Sequence, residues 1–228
     1  MRNKVKVSPT LIDSYFMFRN TEFITLDEMI DRVNRVTTPT PPAAAKGIAF
    51  NDMIDALIGG QDVERVTVRK KGADMEFYRW HFQGRELDTP TTFEFDVGLA
   101  NKLADRLAGA ECQVYSKADI ETPFGTIQLH GFADYVLMDS VIDLKTTGRY
   151  TWPKYLNSYQ YKSYLYTLRE SGIYVKRAEY LITDFNNVYV EDYFWDKRFV
   201  SDIVGGISQF LTFVDEYRDR ITNKNFLL

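Results

Sequence analysis

Hydrophobic residues at helical spacing mark several predicted helices along the chain. Residues 8–19 follow this pattern, and a serine followed by a proline begins the helix. In the segment GIAFNDMIDALIGG, Phe50, Ile54 and Leu57 share one helix face, and the glycine pair after them ends the helix. The proline-rich stretch 34–46 is predicted to be a loop. Further helices are predicted at residues 93–109, 153–171 and 198–222.

Strand-like alternation occupies the segments between these helices. Residues 61–92 are interpreted as β-structure with a turn from Arg69 to Gly72, inserted into the main sheet. Later strands are predicted at residues 111–121, 127–138, 141–147, 176–185 and 188–195. This order predicts an α/β fold with a central mixed β-sheet flanked by helices, and a small β-rich insertion. The length is consistent with a single domain, residues 1–228.

One predicted hairpin places charged residues within an apolar surrounding. If Asp139 and Ser140 form a two-residue loop, alternation places Asp134, Asp143 and Lys145 on the same side of the hairpin. The opposite side is apolar and is interpreted as core. This arrangement depends on the assumed register, because a slip of one residue would exchange the two faces.

The clustering of two carboxylates with one lysine has two interpretations. Lys145 neutralises only one of Asp134 and Asp143, and a divalent cation would balance the remaining charge. Oxygen ligands on adjacent strands suit Mg²⁺ or Mn²⁺, and the lysine would then orient or deprotonate a nearby water. The alternative is an ordinary ion pair between Lys145 and one aspartate at a sheet edge.

The amino-acid composition excludes several kinds of metal site and a membrane-spanning segment. Cys112 is the only cysteine, which excludes an intramolecular disulfide, a cysteine-based zinc site and an iron–sulfur cluster. No apolar run is long enough for a membrane span, so we expect a cytoplasmic protein with no membrane partner. With a net charge of −4, any contact with nucleic acid must come from local basic clusters, each of which is equally consistent with a solvated face. These clusters are Arg69–Lys71, Lys197–Arg198, and Arg218 with Arg220 and Lys224.

Three motifs in order, HGFADYV, VIDLKTT and YQYKSYLY, resemble the PD-(D/E)XK nuclease superfamily, in its RecB-like and Cas4-like exonuclease branch. The resemblance implies a restriction-endonuclease-like core. It implies that Asp134, Asp143 and the carbonyl of Leu144 are metal ligands, and that Lys145 is the catalytic lysine. It also implies that Gln160 and Tyr164, one helical turn apart, contact the substrate strand or support the site.

The resemblance extends upstream with one departure. Asn51 stands where this branch carries a histidine, and an asparagine offers a carbonyl oxygen to a cation but cannot act as a base. Asp55, one turn later, can supply a carboxylate to the same region. Glu111 is a further candidate metal ligand, with a solvated strand end as its alternative. His130 is a candidate supporting group or an ordinary strand histidine.

The cluster of two carboxylates and a lysine predicts a Mg²⁺- or Mn²⁺-dependent phosphodiesterase. The resemblance implies that its substrate is DNA and favours exonuclease action over endonuclease action. We expect it to act on single-stranded DNA or duplex ends in replication, recombination or repair, in a bacterial or phage-infected cell. A separate helicase or recombination protein is the expected partner, because no GxxxxGK[ST] phosphate loop occurs. Tyr150, Trp152 and Tyr159 are candidates for stacking on unpaired bases. The alternatives are a non-catalytic DNA- or protein-binding module and a structure-specific endonuclease.

Overall fold

The computed structural model describes residues 4–70, 72–84 and 91–226. The helices of these ranges are α1 (Pro9–Asn20), α2 (Leu26–Asn34), α3 (Pro42–Ile58), α4 (Val97–Leu107), α5 (Tyr159–Glu170) and α6 (Arg198–Glu216). The strands are β1 (Lys6–Val7), β2 (Arg65–Lys70), β3 (Ala73–Phe82), β4 (Thr91–Asp96), β5 (Glu111–Thr122), β6 (Gly125–Leu137), β7 (Ser140–Thr146), β8 (Arg177–Thr183) and β9 (Val188–Phe194).

The main sheet is mixed and is organised around β6. β5 pairs antiparallel with β6 along nearly its whole length. The other edge of β6 is shared, because β1 pairs in parallel at residues 128–129 and β7 pairs antiparallel at residues 135–137. β8 then pairs in parallel with β7, and β9 pairs antiparallel with β8. In the described chain, residues 130–134 of β6 therefore have no strand neighbour on that edge.

Helices cover both faces of this sheet, which confirms the predicted fold class. Helices α1, α5 and α6 pack on one face, where they form two apolar cores with β1, β5, β6 and β8. On the other face lie α3, α4 and a separate antiparallel sheet in the order β2-β3-β4. The predicted β-rich insertion is this small sheet, which extends to Asp96. The prediction of a single domain stays a prediction.

Several predicted boundaries are wrong, and the contacts explain why. Residues 42–46, expected in a loop, begin α3, because proline is tolerated in the first turn of a helix. Helix α2 was not predicted, although Thr25 and Glu28 form a capping box at its start. The C-terminal helix ends at Glu216, before the predicted residue 222. Asn34 of α2 binds the chain after it, accepting a hydrogen bond from the backbone N–H of Thr222.

Two other predicted helices begin later than expected. Residues 93–96 belong to β4, where Phe95 pairs with Tyr78, and the side chain of Asp96 then caps α4. Helix α5 begins at Tyr159 instead of residue 153, with Ser158 as its N-cap. None of the helices in the described ranges is both long enough and apolar enough to cross a membrane.

Candidate active site

The hairpin of β6 and β7 carries the predicted aspartates and lysine in a corrected register. Met138 and Asp139 form its two-residue loop, instead of Asp139 and Ser140, with Met138 at a φ of 55°. The pairing therefore shifts by two residues, and continuing it by one position places Asp134 opposite Asp143 instead of Lys145. A shift of two preserves the faces, so the predicted clustering survives the error.

Strand β6 changes facing at Asp134. Ala133 packs in the core beside α5, whereas Tyr135 packs in the opposite core and donates a hydrogen bond from its hydroxyl to Asp55 at 2.5 Å. Strict alternation would place both residues on one face. The β5 residue at this register position is Gln113, whose φ of 53° interrupts the pairing. Local irregularities of this kind often re-aim a side chain beside an active site.

Lys145 links the strand to helix α5. Its Nζ lies 2.7 Å from Oδ1 of Asp143, and it donates a hydrogen bond to Oε1 of Gln160 at 2.9 Å. The Gln160 amide in turn donates to the hydroxyl of Tyr164 at 3.3 Å. The structure therefore joins four predicted site residues in one chain of polar contacts, and Gln160 and Tyr164 lie one turn apart as predicted.

The electrostatics of the two aspartates are those of a crowded, poorly solvated pair. Burial, and then the charge of Asp143, raise the pKa of Asp134 to about 8. Burial lowers the pKa of Lys145, but the carboxylates of Asp143 and Asp134 outweigh this effect and raise it above its ordinary value. The lysine is therefore charged at neutral pH, and Asp134 holds a proton that a cation would displace.

The donor set fits a hard cation. Both carboxylate oxygens of Asp143 are buried, and the groups that meet this carboxylate are the ammonium of Lys145, 2.7 Å from Oδ1, and the carboxyl of Asp134. The side-chain oxygen of Asn51 is buried without a partner among the described residues, while its Nδ2 donates to the carbonyl of Leu144 at 3.2 Å. Unsatisfied buried oxygens of this kind are costly unless a cation or a donor meets them. The metal roles of Asn51 and Leu144 stay predictions.

Two other predicted positions lie apart from this pair. Glu111 is exposed at the start of β5, opposite Val136. The described residues contain no group of three histidine, cysteine or acidic side chains able to hold a metal, so Glu111 does not complete a three-acid cluster there. Its role as a ligand stays a prediction. The carboxylate of Asp55 accepts a hydrogen bond from the hydroxyl of Tyr135.

Close packing at two glycines brings the helices to the site. A Cβ on Gly47 of α3 would lie 2.5 Å from Oγ1 of Thr146 on β7. A Cβ on Gly131 of β6 would lie 3.0 Å from the Tyr164 ring. The first distance is shorter than real Cβ contacts and the second is tighter than most of them, so these glycines allow α3 and α5 to approach the strands that carry Asp134 and Lys145.

Sequence reasoning missed Asp13. Its carboxylate accepts hydrogen bonds from the hydroxyl of Ser158 at 2.6 Å and the backbone N–H of Tyr159 at 2.5 Å. It therefore caps the N-terminus of α5 from α1, and burial raises its pKa despite these bonds. The sequence signal is weak: a single acid within an otherwise apolar helix face.

Glu191 was missed too. It is buried on β9 and accepts hydrogen bonds from the backbone N–H groups of Lys154 and Tyr155 and from two tyrosine hydroxyls, Tyr150 and Tyr193. It thus fixes the segment that joins β7, the strand of Lys145, to α5.

The three aromatic residues proposed for base stacking differ in availability. Tyr150 stacks on Tyr189 with ring centroids 4.4 Å apart, and Tyr159 stacks on Phe16 at 4.7 Å. Each of these two rings is partly buried and has one face covered by another aromatic ring. Trp152 is 73% exposed and is the member of this set that remains free to meet a ligand.

Comparisons with known proteins give weak likenesses. No family model and no curated protein matches the chain. The crystal structure of SSO0001 is similar at 17% identity and a TM-score of 0.40, covering 51% of this chain and 56% of that one, so the chain spans little more than half of that protein. A crystal structure from Eubacterium rectale, named only provisionally as an exonuclease, is similar at 10% identity and a TM-score of 0.47, covering 98% of this chain and 82% of that one. Scores this low support no argument about activity.

Proposed function

We propose that this chain is a metal-dependent DNA nuclease that hydrolyses phosphodiester bonds, and that it acts as an exonuclease. The observation that carries the proposal is the pairing of Asp134 and Asp143 at a strand edge. Asp143 is 5% exposed, and its buried carboxylate faces the carboxyl of Asp134. A charged lysine lies within 2.7 Å of it. The three sequence motifs occur in the same order as in the exonucleases that they resemble, and this resemblance supports phosphodiester hydrolysis as the reaction.

The residues divide the work as follows. Asp134 and Asp143 would hold Mg²⁺ or Mn²⁺, which supplies charge neutralisation and an activated water when bound. Lys145 orients the attacking water or neutralises the charge that develops on the phosphate. Gln160 holds the lysine Nζ in place, and Tyr164 holds Gln160.

The test is cleavage of end-labelled DNA by the wild-type protein and the Lys145→Ala variant. Single-stranded, duplex and closed circular substrates are each incubated with Mg²⁺, with Mn²⁺ or with EDTA. We expect cleavage of linear DNA that requires the metal and is lost in the variant. Lys176→Ala is the matched control, because Lys176 also pairs with an aspartate, Asp139, but at an exposed loop. Metal-independent cleavage, or equal activity of both variants, would refute the proposal.

Two other functions remain as outcomes of the same experiment. Asn51 in place of the histidine favours a catalytically inactive binding module, which would bind DNA without cutting it. Cleavage of closed circles would identify an endonuclease, because an exonuclease leaves them intact. The partner helicase or recombination protein, and the role in replication, recombination or repair, follow from the resemblance and stand as proposals.

A further inference from the structure

A second concave site lies outside the carboxylate pair and has the opposite charge. It is a cavity of about 350 Å³ between α1, α2 and β6. Four basic residues line it: Lys6, Arg32, Arg35 and His130. Hydroxyl groups, including that of Ser14, contribute further polar atoms, and no acidic side chain is among its lining residues. We call this site the basic pocket.

Two cations of the basic pocket, Lys6 and Arg35, have no ion-pair partner among the described residues, whereas Arg32 lies near the Glu28 carboxylate of the same helix. The side chains of Lys6 and Arg35 donate no hydrogen bond to a described residue, although the backbone of Lys6 bonds to the Asn225 side chain, and the Arg32 side chain donates to the hydroxyl of Ser14 at 3.0 Å. Burial lowers the pKa of His130, and the charges of Lys6 and Arg35 lower it further, so these cations face the ring. In a chain with a net charge of −4, such a concentration of unpaired cations calls for an anionic partner.

The basic pocket lies on the same strand, β6, as the carboxylate of Asp134. His130 lies four residues before Asp134 on β6, a separation of about 13 Å at the usual rise of a strand. Both residues lie on the stretch of β6 left uncovered between β1 and β7. The two sites are therefore at opposite ends of one open strand edge.

We propose that the basic pocket binds a phosphate group of the DNA strand whose phosphodiester bond lies at Asp134 and Asp143. This inference rests on the proposed nuclease function. Arginine and lysine are the side chains that recognise phosphate, and the hydroxyls can donate further hydrogen bonds to it. At a rise of 3.4 Å per nucleotide, 13 Å corresponds to roughly four stacked nucleotides, and fewer in an extended strand. The phosphate is either that of a strand end or one within the backbone.

Binding without metal separates this inference from catalysis. Fluorescent single-stranded and duplex oligonucleotides are titrated in EDTA, each with a 5′-phosphate, a 5′-hydroxyl or a 3′-phosphate end. The test variant combines Lys6→Gln with Arg35→Asn, because neither side chain makes a described contact that folding needs, and asparagine tolerates the φ of 57° at position 35. The control combines Lys102→Gln with Arg19→Gln, two exposed basic residues outside the pocket and outside the basic clusters, and loses the same charge.

We expect the pocket variant to bind at least about 10-fold more weakly than the control, and the slope of log K against log salt to fall by about one unit. If the loss is confined to one phosphorylated end, the pocket holds that terminal phosphate. If the loss is equal for all ends, it holds an internal phosphate. Equal binding by the two variants, or no DNA binding by the wild type, would overturn the inference.

The outcome does not depend on the nuclease proposal. If the wild type does not cut DNA but the pocket variant binds DNA more weakly than the control, the phosphate site is supported and the nuclease proposal is refuted. If the wild type cuts DNA but the pocket variant and the control bind DNA equally well, the nuclease proposal is supported and the phosphate site is refuted. Thermal unfolding of both variants verifies that the fold is intact.

Discussion

The side-chain amide of Asn51 donates a hydrogen bond to the backbone carbonyl of Leu144, with 3.2 Å between Nδ2 and the oxygen. Leu144 is the residue between Asp143 and Lys145. The last paired residue of β7 in the ladder with β6 is Ile142, and helix α3 supplies the donor to the carbonyl of Leu144. The asparagine therefore fixes the backbone that carries the aspartate and the lysine, whether or not its own oxygen meets a cation.

We expect Asn51→Ala to lower both stability and activity. Removing the amide leaves a carbonyl without its donor, at a cost of about 1–3 kcal/mol in the free energy of unfolding. We expect cleavage to fall at least about 10-fold because the lysine strand loses its support. Asp52→Ala, on the exposed side of the same helix, is the control. Urea unfolding and cleavage assays measure both effects, and an Asn51→Ala protein with unchanged stability would show that the bond does not support the strand.

Removing Lys145 should affect stability as well as catalysis. We expect Lys145→Ala to reduce cleavage by about 10²–10⁴-fold if the lysine acts on the proton or the charge of the reaction. It should also destabilise the metal-free protein by about 3–5 kcal/mol, because Asp143 would remain buried without its cation.

The double variant Asp143→Asn with Lys145→Met separates the two effects. We expect it to recover most of the stability, because no buried charge is left unpaired, but none of the activity. A double variant as unstable as Lys145→Ala alone would show that the ion pair is not the source of the cost.

The raised pKa of Asp134 predicts how stability depends on pH. The folded carboxyl keeps its proton up to a pKa of about 8, whereas the unfolded group ionises near pH 4. The folded state therefore binds more protons between these values, and metal-free stability from this group falls as pH rises from about 4 to about 8. We expect Asp134→Asn to be more stable than the wild type at about pH 8, by about 2–4 °C in Tm for each kcal/mol regained.

The difference between Asp134→Asn and the wild type should shrink as the pH falls toward about 4, and below that pH the aspartate is protonated in both states. Calorimetry in EDTA across this range measures it. Adding Mn²⁺ should raise the Tm of the wild type but not that of the variant, because the cation displaces the proton. A pH-independent difference would contradict the raised pKa.

The sequence could predict the parts of this site that depend on the alternation of side chains between the two faces of a strand. A shift of the hairpin register by two residues leaves each side chain on the same face. The error in the predicted loop position therefore did not separate Asp134, Asp143 and Lys145. The helical spacing of Gln160 and Tyr164 is likewise a local property. Such features need only the periodicity of strands and helices.

The sequence could not predict the contacts between distant segments. Asp13 caps a helix 146 residues away, and Glu191 binds a loop 36 residues before it. The change of facing at Asp134 depends on the backbone of Gln113 in the neighbouring strand. These features depend on which segments meet in three dimensions, and no local periodicity encodes that.

Gly131 tests whether the position of Tyr164 matters for activity. A Cβ at this position would lie 3.0 Å from the Tyr164 ring and 3.4 Å from Pro9. We expect Gly131→Ala to cost about 1–3 kcal/mol and to reduce cleavage, because the displaced ring no longer holds Gln160 against the lysine. Gly148→Ala, with no atom within 4 Å of its added Cβ, is the control.

Adding Tyr164→Leu to Gly131→Ala should relieve the contact and restore stability, since the smaller side chain leaves space for the new methyl group. It should not restore cleavage, because the hydroxyl that accepts the hydrogen bond from Gln160 is absent. Unfolding and cleavage assays on the three proteins distinguish packing from positioning. If Gly131→Ala cleaves DNA as fast as Gly148→Ala, the link from Tyr164 through Gln160 to Lys145 has no part in the reaction.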